Sequence, residues 1–177
     1  MCNPACIEFA RKHLESWEVR DRVVLEAGSL NINGSLRSTV EKLVPARYVG
    51  VDIVPGPGVD EVCDAEDILE RYGAQSFDVL ISTELLEHVR DWRAVVHGFK
   101  RVLRPGGVLL LSTRSRGHPY HHYPHDFWRY EVEDMRRIFG DLDIEALEED
   151  PIEIGVFLKA RRPHEFQEGT LDDVALY

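Results

Sequence analysis

Apolar residues in this chain fall into two patterns. Short unbroken runs, such as RVVLE over 22–26, FDVLIS over 77–82 and VLLLST over 108–113, alternate with stretches whose apolar positions recur every three or four residues. The runs read as buried strands and the stretches as amphipathic helices, and their alternation predicts an α/β sheet. Cys6, Phe9, Ala10, His13 and Trp17 share one face of a leading helix over 5–17, within a leading segment 1–19. Further helices are expected over 35–43, with Ser35 as N-cap, and over 65–72, 92–103 and 131–139. Trp17, Trp92 and Phe99 are expected to be packing residues. Additional strands are expected over 48–53, 59–62, 142–147 and 154–160.

Glycine and proline punctuate these elements. Val54-Pro-Gly-Pro-Gly58 breaks the second strand, and Pro105-Gly106-Gly107 reads as a stop and turn before the fifth. The link from Asp52 to Val59 is too short for a crossover helix, so the third strand is expected to be vestigial, or its helix replaced by the Pro-Gly turn. Residues 114–130 read as irregular, and 162–177 as a polar, mobile tail. Strands without period-2 alternation belong to a sheet covered on both faces, hence mostly parallel. Ligands of such sheets sit at the carboxyl ends of the strands, near the switch in strand order. That directs attention to the residues after Glu26, Asp52, Val62, Ser82 and Thr113.

Composition narrows the functional classes. The 177 residues suit one domain, 1–177, and a net charge of −11 argues against a nucleic-acid partner. No apolar run reaches the length of a membrane span, and the N-terminus lacks the basic start and apolar core of a secretory signal. Three cysteines, an odd number, speak against a disulfide framework and for a reducing, cytoplasmic setting. Cys2 and Cys6 have no second cysteine pair to complete a metal site.

The polar residues at the strand ends form an ordered series. Glu26-Ala-Gly28-Ser29-Leu-Asn-Ile-Asn33-Gly34 follows the first strand, where glycines let backbone amides approach a ligand. Asp52, followed by Ile53, ends the second strand, where a carboxylate suits a ribose diol. Asp64-Ala65-Glu66 comes next, and Asp64 reads equally well as a helix N-cap. Then comes FDVLISTELLEHV, followed by RVLRPGG and VLLLST. In this order, over roughly residues 20–160, the chain resembles the class I S-adenosylmethionine-dependent methyltransferases, in particular small bacterial-type members with an LEH signature after the fourth strand. The resemblance implies a Rossmann-like class I methyltransferase sheet, mostly parallel with an antiparallel C-terminal hairpin and helices on both faces. It implies S-adenosyl-L-methionine as cofactor, with Glu26, Gly28, Ser29, Asn33 and Gly34 in the first loop, Asp52 and Ile53 at the ribose, Asp64, Ala65 and Glu66 at the adenine, and Thr83, Glu84 and His88 toward the methionine end. The first loop is longer than the family's E-x-G-x-G-x-G and lacks one of its glycines. The Ser82-Thr83-Glu84 sequence also departs from the Asn-Pro-Pro-Tyr type of exocyclic-amine methylating relatives.

Residues 114–130 occupy the place where this fold sets substrate-binding groups, and hold half of the eight histidines. Arg114, Arg116 and Arg129 against Asp126 give the segment a local charge of +2, suited to an anionic or hydroxyl-rich substrate. Three readings of this lid stay open. A histidine, among His88, His121 and His125, acts as general base on the acceptor. Alternatively His118, His121, His122, His125 and Asp126 include ligands of a divalent metal, with no ligand set assigned. In the third the segment only packs over the sheet. The function expected is methyl transfer to a nucleophile, foremost a hydroxyl, of a small molecule or glycan. A non-catalytic S-adenosylmethionine-binding accessory protein and a protein methyltransferase are the alternatives. A nicotinamide oxidoreductase would need G-x-G-x-x-G after the first strand, which Gly28 to Gly34 does not supply.

Overall fold

In the computed structural model, which describes residues 3–32, 34–121 and 124–176, the apolar runs form one seven-stranded sheet of order β3-β2-β1-β4-β5-β7-β6. The strands are β1 (Val23–Ala27), β2 (Arg47–Asp52), β3 (Glu61–Val62), β4 (Phe77–Thr83), β5 (Leu103–Arg114), β6 (Asp143–Glu149) and β7 (Gly155–Arg161). All neighbours from β3 through β5 pair parallel, and β7 runs antiparallel to both β5 and β6. The chain moves from β1 outward to β2 and β3, then returns to place β4 on the other side of β1. The carboxyl ends of β1 and β4 therefore border the crevice where strand order switches. β3 is the expected stub: two residues, paired Val51 to Glu61 and Asp52 to Val62, reached by a turn without a helix.

Both faces of the sheet are apolar and covered. One side packs α1 (Pro4–His13) and α3 (Arg37–Glu41) on Val24, Val79, Ile81, Val108 and Leu110. The other packs α4 (Ile68–Tyr72), α5 (Trp92–Val102) and α6 (Val132–Ile138) on Leu25, Leu80, Leu109 and Leu111. α1 starts on Asn3, whose side chain accepts the Ala5 and Cys6 amides, with Pro4 at the position where its missing N–H costs nothing. α5 starts on Asp91, which accepts from Ala94, and buries Trp92, Val95, Val96 and Phe99.

The structure corrects several expectations. The leading helix is broken: α1 stops at His13 and a single turn, α2 (Ser16–Val19), follows. Trp17 consequently leaves the apolar face and is 62% exposed, with the Arg161 guanidinium over its ring. α3 is shorter than the expected helix and begins at Arg37 after an N-cap at Leu36, although the Ser35 hydroxyl accepts the Arg37 amide. Val44, at φ 62°, ends that segment before Pro45. The expected 65–72 helix opens with a 3₁₀ turn, Ala65–Asp67. Pro105-Gly106-Gly107 is a bulge inside β5, since pairing with β4 resumes beyond it at Val79 and Val108. The tail is anchored: Val174 is buried, Phe166 and Leu171 pack on the core, and Arg162 donates to the Leu103 carbonyl. Arg93 also ties the tail down by donating to the Leu171 and Val174 carbonyls. Among the described residues no helix is long and apolar enough to cross a membrane. Cys63 is free, and it and Cys6 are both buried; Cys2, Asn33, His122 and Tyr123 lie outside the described residues.

Candidate active site

A cavity of about 530 Å³ opens at the carboxyl ends of β1, β2 and β4, within the range of small-molecule sites. Asp52 and Asp64 both line it, from adjacent elements, together with Gly28, Ile53, Ala65, Glu66, Glu84, His88 and His125. Apolar walls come from Leu30, Ile32, Val51, Val54, Leu85, Val89 and Phe127. Asp52 is held by backbone: its carboxylate accepts from Leu30 at 3.1 Å and from Val54 at 3.4 Å. Asp64 caps the 3₁₀ turn by accepting the Glu66 amide at 3.0 Å, so its N-cap role and its place in the cavity coexist. Glu66 in turn accepts the Asp91 amide at 3.2 Å, tying this wall to the start of α5.

Other predicted site residues stand apart from the cavity. Glu26, Ser29, Gly34, Thr83 and His121 are not among its lining residues. Glu26 is buried under the Tyr48 hydroxyl, which donates to it at 2.8 Å. Burial there pushes its carboxyl up to about 7, against the opposing pull of Tyr48 and Arg37. The Gly28 and Ser29 amides both bond the Val51 carbonyl, at 2.9 and 3.0 Å. Gly28 is nevertheless required at its φ of +77°, and an added Cβ would meet the Leu85 side chain at 3.2 Å.

The far end of the cavity is built differently. Glu84 turns there at φ 55°, a left-handed conformation rare outside glycine and a form of strain found at functional sites. Its buried carboxylate accepts from the Ser112 hydroxyl at 2.7 Å and pairs with the Arg114 guanidinium. Burial and the neighbouring Glu87 push the Glu84 carboxyl well above the usual range, while Arg114 opposes them. Arg114 also reaches Glu153 at 2.5 Å and Asp150 at 3.5 Å. The positive lid expected from the sequence is thus largely neutralised: Arg114 is turned inward onto carboxylates, and Arg129 holds Asp126. Asp126, pinned by Arg129 and the His121 amide, is held down to about 2.

The lid is stitched to the 3₁₀ turn Leu86–His88. The Phe127 amide donates to the Glu87 carbonyl at 2.7 Å, the Trp128 indole to the Val89 carbonyl at 2.9 Å and the Tyr130 hydroxyl to the Leu86 carbonyl at 3.1 Å. His88 donates Nδ1–H to the His125 carbonyl, since a carbonyl only accepts, and in the neutral ring Nε2 is then the acceptor nitrogen. That Nε2 lies 3.8 Å from Glu87 Oε1. The His125 ring sits at the cavity's edge, tilted against Phe127 at 5.4 Å. Glu87 is the functional candidate that sequence reasoning passed over. It stands in the LEH motif, but only the fold reveals that it is fully buried behind His88.

Comparison with known proteins agrees with this architecture. The methyltransferase-domain family matches residues 11–148, and the chain belongs to it. The ubiquinone biosynthesis O-methyltransferase of Idiomarina loihiensis is 30% identical over 127 residues, 64% of this chain and 50% of that protein. The enzyme of the same name from Erwinia tasmaniensis is 41% identical over 87 residues, 49% of this chain and 34% of its own. The chain spans about half the length of the Idiomarina relative. An S-adenosylmethionine-dependent methyltransferase from Mesorhizobium loti superposes with a TM-score of 0.72 at 16% identity, over 90% of this chain and 99% of that one. A Burkholderia thailandensis 1,6-didemethyltoxoflavin-N1-methyltransferase, crystallised with bound 1,6-didemethyltoxoflavin and S-adenosylhomocysteine, gives 0.71 at 17% identity, over 90% and 77%. The fold is that of the class I S-adenosylmethionine-dependent methyltransferases.

Proposed function

We infer that this chain transfers a methyl group from S-adenosylmethionine to a hydroxyl of a small molecule or glycan. The observation that carries the reading is the shared cavity: Asp52 and Asp64 face it from neighbouring strand tips, and Glu84, His88 and His125 stand at its other end. The donor set suits the cofactor. Asp52 can accept from a ribose diol, Asp64 from an exocyclic amine, and Leu30, Ile53, Ala65 and Val89 offer apolar faces to a flat ring. Bound there, S-adenosylmethionine supplies a sulfonium methyl that moves to the acceptor oxygen, the electrons of its bond to sulfur staying behind in S-adenosylhomocysteine.

What remains for the protein is alignment, exclusion of water and acceptance of one proton. Leu85, Val89 and Phe127 give the cavity apolar walls beside the lid. His125, at the cavity's edge, takes the acceptor's proton on its imidazole as the new carbon–oxygen bond forms. His88 is instead a bracing residue, committed by Nδ1 to the lid backbone. The Ser82-Thr83-Glu84 run that closes β4 and the O-methyltransferase names of the curated relatives support oxygen as the acceptor. The net charge of −11 argues against a nucleic-acid substrate, and the free, buried Cys63 and the odd number of cysteines suit a cytoplasmic setting.

The test is to supply S-adenosylmethionine with pooled hydroxylated acceptors, phenolic and glycan, and to follow S-adenosylhomocysteine release and acceptor mass. A gain of one methyl on oxygen supports the reading. S-adenosylhomocysteine binding with no transfer to any pool would favour an accessory, cofactor-binding role.

A further inference from the structure

Behind the cavity's lid end lies an arrangement that methyl transfer by itself does not require. Glu87, His88 and His121 bring one ligand atom each within 4.8 Å of one another. Glu87 Oε1 is 3.8 Å from Nε2 of His88 and 3.8 Å from Nε2 of His121. Glu87 is fully buried. Its Oε2 accepts from the Thr113 hydroxyl at 2.9 Å, whereas Oε1, the atom facing the two imidazoles, has no hydrogen-bond partner. A buried carboxylate oxygen left bare is costly unless something positive meets it.

The imidazoles are oriented from behind in the way metal-bound histidines are. His88 gives its Nδ1–H to the His125 carbonyl, and His121 Nδ1 lies 3.1 Å from the Asp126 carboxylate and 3.3 Å from the Pro119 carbonyl. Each ring therefore spends Nδ1 on an outer partner and presents Nε2 inward, the tautomer that outer partners enforce around bound metals. Asp126 is itself fixed by Arg129 and by the His121 amide, so the second layer is held as firmly as the first.

We propose that Glu87 Oε1, His88 Nε2 and His121 Nε2 bind one divalent transition-metal ion of the zinc or iron(II) type just behind the lid end of the cavity, which His88 alone of the three lines. Two imidazoles and one carboxylate make a donor set suited to such ions, with coordination positions left for water or an acceptor oxygen. Metal–ligand bonds of about 2.0–2.2 Å require the three donors to draw in slightly around the ion. Glu84 is excluded from the set because Arg114 and Ser112 already hold its carboxylate. Because His121 belongs to the lid and Glu87 and His88 to the turn after β4, the ion pins one to the other. Its further role, holding an acceptor hydroxyl beside His125, rests on the methyl-transfer reading; binding of the ion does not.

Zn²⁺, Co²⁺ and Mg²⁺ are each titrated calorimetrically into the chelator-stripped full chain, with Co²⁺ binding also followed by its visible absorption and S-adenosylhomocysteine affinity measured on the same sample. The expected result is one equivalent of Zn²⁺ or Co²⁺, bound more tightly than Mg²⁺, with visible cobalt bands. His121→Ala weakens that binding about tenfold or more and alters the bands, whereas His118→Ala leaves both unchanged. Glu87→Gln gives a second loss where it folds; His121→Ala, on the lid, stands as the test if it does not. Absence of Zn²⁺ and Co²⁺ binding, or equal binding in His121→Ala, overturns the inference while leaving the methyl-transfer reading intact if S-adenosylhomocysteine still binds. Metal binding without S-adenosylhomocysteine binding supports the site and removes the role given to it.

Discussion

The two ends of the cavity are held by different means. At the Asp52 end, carboxylates are positioned by backbone: Leu30 and Val54 amides on Asp52, the Glu66 amide on Asp64. At the lid end, side chains hold one another: Arg114 on Glu84, Thr113 on Glu87, Arg129 on Asp126. Backbone-held groups follow from where a strand stops. Side-chain networks depend on residues distant in sequence meeting in the fold, and a partly satisfied network is costly. On the proposed reading the first end is a generic cofactor seat and the second the place where this chain is particular.

The contrast is sharpest in what a deletion does. Arg114→Ala should cost about 3–5 kcal/mol in urea unfolding, because it leaves the buried side chains of Glu84 and Asp150 without the guanidinium that meets both. A loss below about 1 kcal/mol, the size of an exposed pair, would mean the lid end is not held by this network. His125→Ala is expected to lower turnover by about 100- to 10,000-fold, the span of general-base contributions, with S-adenosylhomocysteine affinity unchanged. Equal turnover in wild type and variant would leave the lid a packing element only.

Glu26, on β1 outside the cavity, tests a carboxyl that has no such network. Its folded carboxyl titrates near 7, above its ordinary value, so the native state binds the proton more tightly than the unfolded chain. Its contribution is therefore present at acid pH and declines as pH rises through 7. Glu26→Gln should be near neutral at pH 5 and more stable than wild type by about 1–3 kcal/mol at pH 8, read from paired urea curves. A variant less stable than wild type at pH 8 would show the ionised carboxylate to be favourable where it sits.

The same contrast explains what could be read in the sequence. β1, β2, β4 and β5 are visible because apolar runs have one stable place, the middle of a covered sheet; Asp52 then marks the end of β2 and Asp64 the turn after the stub β3. Trp17 reads as a packing residue because the helical period runs on past a break after His13 that no proline or glycine announces. The tail reads as polar, yet Phe166, Leu171 and Val174 reach the core singly, a spacing too sparse for a periodic signal. Arg114 counted as a free positive charge until the fold set it against Glu84, Asp150 and Glu153. Glu87 and His121 are 34 residues apart, and nothing local pairs them.

The central claim is that the acidic strand tips seat the nucleoside of the cofactor, and Asp52 tests it most directly. Calorimetric titration of S-adenosylhomocysteine into wild type and Asp52→Ala should give weaker binding in the variant by about 10- to 100-fold, the loss of hydrogen bonds to one charged group. Unchanged affinity in a folded Asp52→Ala protein would contradict the account.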